Sequence, residues 1–125
     1  MTLIDSHCHL EYEGLAEDQP GVLERARAAG VTGFLNISTR RSEWKRVVGT
    51  AEREPDVWAS VGIHPHEADQ HADLGAADLR EAAGHPKVVG LGESGLDYYS
   101  TSPTARCSRR CSAPTSVWRA RPACR

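Results

Sequence analysis

Val57-Trp58-Ala59-Ser60-Val61-Gly62-Ile63-His64-Pro65-His66 is the stretch on which the fold turns. Its first seven residues form a nearly continuous apolar run, the pattern of a strand buried on both faces in a parallel sheet. It ends in two histidines flanking a proline. On either side the chain repeats this grammar. Thr2 to Asp5 is a brief strand candidate, Thr32 to Ile37 a second strand, and Val88 to Gly92 a fourth. Helical stretches separate them. Gln19-Pro20 suits a first helical turn, Val22, Leu23 and Ala26 supply an apolar face, and Gly30 ends it. Ser42 is placed to cap a second helix. Trp44, Val47, Val48 and Ala51 then follow at helical spacing until Pro55. A weaker helix is expected over Leu74 to Ala83, with Gly84 and Pro86 beyond. Strand starts recur about every 28 residues, which suits part of an α/β barrel better than a sandwich.

The 125 residues are one domain's worth of chain. A complete (β/α)8 barrel typically needs about 250. Charge divides the chain at Ser100. Of 15 Lys and Arg, six arginines lie in residues 100–125, which hold no acid; residues 1–99 carry the other nine basic residues against 17 acidic ones. The body is therefore at −8 and the tail at +6. The tail mixes five Ser, three Thr, three Pro and three Cys with its arginines and has no helical or strand period. A disordered tail is expected over 100–125, because such a segment buries too little surface to offset its ordering entropy. Only Cys8 lies in the body, so the cysteines do not form a secreted disulfide framework. No secretory signal is visible. No apolar run approaches the roughly 20 residues of a membrane span. A soluble cytoplasmic protein with no membrane and no protein partner is expected.

Three clusters of chemistry-bearing residues sit at strand ends. In Ile4-Asp5-Ser6-His7-Cys8-His9-Leu10, strand alternation puts His7 and His9 on one face, where two imidazoles can converge on a divalent cation. Asp5 points the same way and can orient a ligand. Cys8 alternates to the other face, toward the core. The competing reading is a solvated or core histidine pair. His64 and His66 follow the third strand, on the rim where barrel enzymes hold their sites. They read as substrate contacts, donating to a phosphate or carbonyl oxygen, or as a rigid loop pair. Glu93, in Gly92-Glu93-Ser94-Gly95-Leu96-Asp97-Tyr98-Tyr99, stands where a carboxylate can bridge two cations, or in an acidic turn. Asp97 is a further carboxylate or a cap. Paired cations held by histidine and a bridging carboxylate activate water and hold a phosphoryl group. Hydrolysis of an ester or phosphodiester follows from the three clusters together.

These motifs, Ile-Asp-Ser-His-Cys-His-Leu, Val-Gly-Ile-His-Pro-His and Gly-Glu-Ser-Gly-Leu-Asp-Tyr-Tyr, in this order and spacing, resemble the TatD family of metal-dependent hydrolases. The resemblance covers residues 1–99. It implies the N-terminal half of a TIM (β/α)8 barrel, with 1–99 as a partial barrel domain and 100–125 as a tail. It implies a deoxyribonuclease of the amidohydrolase superfamily that cleaves DNA from its 3′ end; some members have been linked to D-aminoacyl-tRNA hydrolysis. It implies two divalent cations per complete site, with Mg2+, Mn2+ and Zn2+ not distinguished. His7 and His9 match its first-metal ligands and Glu93 its bridging, catalytic carboxylate. His64 matches a residue at the substrate-phosphate end, with His66 beside it. Ser94 departs from the isoleucine or valine usual there.

The family's remaining ligands, two histidines and an aspartate on later strands, have no match in this chain. The abrupt tail fits translation in a shifted frame. A truncated, inactive hydrolase is the leading expectation. A half-barrel nucleic-acid-binding module gripping phosphate with its arginines, or a non-functional frameshift product, are the alternatives.

Overall fold

Each apolar run becomes a strand and each periodic stretch a helix, for reasons visible residue by residue. The computed structural model describes residues 2–95. Strand β1 (Leu3–Cys8) is followed by a 3-10 turn over Ala16–Asp18 and helix α1 (Gln19–Ala28). Strand β2 (Val31–Ile37), a 3-10 turn over Arg41–Glu43 and helix α2 (Trp44–Arg53) come next. Strand β3 (Val57–Val61), a 3-10 segment over Pro65–His71, helix α3 (Ala76–Ala82) and strand β4 (Val88–Leu91) complete the described chain. The four strands form one parallel sheet in the order β1-β2-β3-β4. This is the β/α alternation expected of half a barrel. The tail, residues 100–125, and Asp97 lie outside the described residues.

Helix α1 starts where expected. Asp18 caps it by accepting from the Gly21 amide at 3.2 Å, and Pro20 occupies its first turn. It ends at Gly30, whose φ of 98° lies in the left-handed region that a glycine enters without a Cβ penalty. Helix α2 starts differently from expectation. Ser42 falls inside the 3-10 turn, and the Glu43 carboxylate binds this corner instead. It accepts from the Thr39 amide at 2.8 Å, the Thr39 hydroxyl at 3.0 Å and the Arg40 amide at 3.3 Å. Helix α3 begins at Ala76 rather than Leu74, because Gly75 is extended (φ −104°, ψ 168°) and its amide donates to Asp78 at 2.9 Å.

The helices cover one face of the sheet. Val57, Ala59 and Val61 of β3 alternate inward onto α2 and are fully buried. Val57 and Ala59 pack with Leu23, Phe34, Val47 and Ala51 in one core cluster, and Val61 joins Trp44, Ile63 and Leu79 in a second that continues it under α3. At the strands' amino-terminal side, Arg27 donates to Asp56 at 2.8 Å and to Glu54 at 2.7 Å, tying α1 to the start of β3. The hydrogen bonds from Arg27 hold the Asp56 carboxyl below the usual carboxylate range. Lys87 donates to the carbonyls of Glu54, Pro55 and Val57, each at 3.1 Å, and fastens β4 beside β3. No helix among the described residues is long and apolar enough to cross a membrane.

Candidate metal centre

Strand β1 runs to Cys8 rather than stopping at Asp5. Its backbone pairs with β2 through Cys8 and Asn36, which carries the chain past its polar residues. His7 therefore stands inside the strand and His9 just beyond it. The Asp5 side chain accepts from the His7 amide at 3.1 Å, so it braces the ligand strand through the backbone rather than through the ring. Cys8 points the other way. Its Sγ lies 3.3 Å from the Leu35 carbonyl, and burial, aided by the Asp5 charge, pushes its thiol up to about 12.

His9 is fixed by two contacts of its ring and by one of the residue after it. Its Nδ1 lies 2.9 Å from the carbonyl oxygen of Ile37. A carbonyl only accepts, so Nδ1 carries a hydrogen, and in that tautomer of the imidazole the lone pair lies on Nε2. The ring stacks on Tyr12 with centroids 4.6 Å apart. The next residue, Leu10, donates its amide to Asn36 Oδ1 at 3.0 Å, in a buried contact. The bare Nε2 of His9 faces His7 Nε2 at 3.2 Å.

Glu93 arrives from the far side of the sheet, two residues beyond β4. Its approach is built by small and polar groups. The Gly92 amide donates to the Val61 carbonyl at 3.0 Å and the Glu93 amide to the Ser38 carbonyl at 3.4 Å. The Ser60 hydroxyl donates to the Gly92 carbonyl at 3.0 Å. Gly62 permits this: a Cβ there would stand 2.5 Å from the Gly92 carbonyl carbon. The Gly62 amide donates to Ser38 Oγ at 3.1 Å, and its carbonyl accepts from Trp44 Nε1 at 3.0 Å. Sequence reasoning missed Asn36, Ser38, Ser60 and Gly62. The available signal was polar or small residues interrupting otherwise apolar strand ends.

The Glu93 carboxylate meets the histidines with both oxygens. Its Oε2 lies 2.7 Å from His7 Nε2 and 3.7 Å from His9 Nε2. Its Oε1 lies 2.9 Å from His64 Nε2. His7, His9 and Glu93 offer three ligand atoms all within 4.8 Å of one another. Around one cation with bonds near 2.1 Å, neighbouring ligand atoms stand about 3.0–3.4 Å apart. The observed separations bracket that range, so the donor set fits a divalent ion of mixed nitrogen and oxygen preference. His66 is outside this trio. Its ring packs edge-on against His64, centroids 4.6 Å apart, on the exposed loop after β3.

Comparison with known proteins agrees with this architecture. The family described as TatD related DNase matches residues 4–111. The "3'-5' ssDNA/RNA exonuclease TatD" of Musicola paradisiaca is 39% identical over 97 residues, 77% of this chain and 37% of that protein. The "uncharacterized metal-dependent hydrolase TatD" of Mycobacterium tuberculosis is 36% identical over 99 residues, 78% of this chain and 38% of that one. The crystal structure of YjjV, a TatD homolog from Escherichia coli K12, superposes with a TM-score of 0.82 at 30% identity, covering 90% of this chain and 44% of that one. The chain thus spans well under half the length of these relatives. With a family model matching residues 4–111 and the fold shared at a TM-score of 0.82, it belongs to the TatD-related family of metal-dependent hydrolases.

Proposed function

We propose that this chain carries part of a two-cation site for hydrolysing phosphodiester bonds in nucleic acid, as a 3′-exonuclease does. Residues from two well-separated motifs meeting within 4.8 Å at one end of a parallel sheet, with His64 of a third motif 2.9 Å from Glu93, carry this reading. In it His7 and His9 would hold the first cation, and Glu93 would serve both it and a second. When bound, the cations lower the pKa of a water and stabilise charge on the phosphoryl oxygens. The chain's own residues do the rest. The Ile37 carbonyl keeps the His9 lone pair aimed into the site. The Ser38, Ser60 and Gly62 contacts hold Glu93 across from it. In this reading His64 and His66 lie toward the phosphate end of the substrate. Mg2+, Mn2+ and Zn2+ all suit such a donor set.

Titration of the purified 125-residue chain with Mn2+ tests the ligand assignment. His9→Ala and Glu93→Gln are each expected to weaken binding more than about tenfold, since each removes one of three donors. Unchanged affinity in both variants sinks the assignment. The described trio supplies donors for one cation, so slow or no cleavage of single-stranded DNA is expected from this chain. A robust metal-dependent cleavage abolished by His7→Ala would overturn that expectation.

A further inference from the structure

The hydrogen bonds around His64 assign its proton. The backbone amide of His66 points at His64 Nδ1 from 3.2 Å. An amide N–H can only donate, so Nδ1 carries a lone pair and the ring hydrogen sits on Nε2. That nitrogen lies 2.9 Å from Glu93 Oε1 and donates to it. The backbone that carries the ring is held on both sides. The His64 amide donates to the Thr39 carbonyl at 2.8 Å, and the His64 carbonyl accepts from the Glu67 amide at 2.9 Å. Pro65 then starts the 3-10 segment whose second residue supplies the His66 amide. Thr39 in turn is bound through its amide and hydroxyl to buried Glu43.

The carboxylate of Glu93 is thereby divided. Oε1 accepts from His64 with one lone pair and keeps its other, while Oε2 faces His7 and His9. We infer that His64 is a positioning residue for Glu93: its Nε2–H holds one carboxylate oxygen so that the other is presented to the cation. It acts through Glu93. The inference rests on the reading of Glu93 as a ligand and goes beyond it. Both ring nitrogens of His64 are engaged with the protein, so it has no hydrogen to offer an incoming phosphate in this arrangement.

Two measurements on the 125-residue chain decide it. Without metal, long-range 15N–1H spectra should show His64 with a protonated Nε2 and a bare Nδ1. Glu93→Leu should alter the Nε2 signal. The opposite tautomer, or no response to Glu93→Leu, overturns the inference. In Mn2+ titrations, His64→Leu is expected to bind about tenfold to a hundredfold more weakly, in the range seen for partners of metal ligands. His64→Gln keeps an N–H donor at about the same reach and should recover most of that loss. A role in holding substrate alone predicts wild-type Mn2+ affinity in both variants, which would overturn the inference. If His64→Leu binds like wild type while His9→Ala is weakened, only the positioning role fails. If His9→Ala and Glu93→Gln also bind like wild type, the ligand reading fails and takes the positioning role with it. Circular dichroism of each variant separates loss of fold from loss of donor, and recovery in His64→Gln would not accompany a merely unfolded loop.

Discussion

Among the described residues, the two faces of the sheet differ sharply in burial. Along β3, Val57, Ala59 and Val61 are 0% exposed under the helices, whereas Trp58 between them is 39% exposed on the other side. Ile4 on β1 and Val89 on β4 stand on strands at the two ends of the sheet at 73% and 61% exposure. A Cβ on Gly33 would touch both Ile4 and Trp58, so these side chains share the open face. One face is therefore a finished core and the other an apolar surface of the kind a barrel turns inward. The helix-covered face should carry the stability of the described residues, and the open face should carry little of it.

Substitutions on the covered face should have the largest effect. Leu23→Ala removes a side chain that is 1% exposed. It should cost about 2–5 kcal/mol in urea unfolding, the range for deleting a buried leucine; a loss under about 1 kcal/mol would mean that face is not the core. Cys8 probes the same face chemically. With Cys107, Cys111 and Cys124 changed to Ser, the folded chain should react with iodoacetamide at pH 8 at least a hundredfold more slowly than urea-unfolded chain. Burial raises the thiol to about 12, and only the thiolate attacks. Because the shift is upward, the reaction should accelerate as pH rises toward that value. Equal rates in folded and unfolded chain would place Cys8 on the open side.

The rim where the faces meet should be intermediate. Gly62→Ala puts a Cβ against the Gly92 backbone. It should cost about 1–3 kcal/mol as overpacking and weaken Mn2+ binding roughly tenfold by displacing Glu93. Retained affinity would show that the loop after β4 is held by something other than this close approach. The smallest effect belongs to the open face. Val89→Thr should change stability by no more than about 0.5 kcal/mol. A larger loss would mean that something covers Val89 in solution, and would erase the contrast between the faces.

The same contrast explains what the sequence disclosed. The strands and helices were legible because apolar runs bounded by glycine and proline, and the Trp44–Val47–Val48–Ala51 spacing, report burial directly. The ends of elements were less so. β1 extends through His7 because backbone pairing with β2 ignores the polarity that seemed to end it. Ser42 looked like a cap, but Glu43 reaches back to amides that composition cannot identify. His7, His9 and Glu93 were legible as residue types in motifs. Their support was not, because Ser38 meets Gly62 and Ser60 meets Gly92 only after the strands align. Asn36 is 0% exposed and reads in sequence as an ordinary polar residue, yet it holds the backbone directly after His9. The role of His64 depends on which nitrogen carries a hydrogen, and only its neighbours determine that.

Strand order has a metric consequence for the histidine–carboxylate cluster. Neighbouring strands lie about 4.8 Å apart, so the outermost two of a flat four-stranded sheet would be separated by about 14 Å. His7 rides on the first strand and Glu93 follows the fourth, yet their side chains meet at 2.7 Å. Curling of the sheet toward its concave side, together with the return of the Gly92–Glu93 backbone to Val61 and Ser38, brings them together. The cluster is in effect a gauge of curvature: flattening anywhere between β1 and β4 would separate donors that no local change had touched. A bound cation would then tie the outermost strands together, and its affinity would measure how far the sheet has bent.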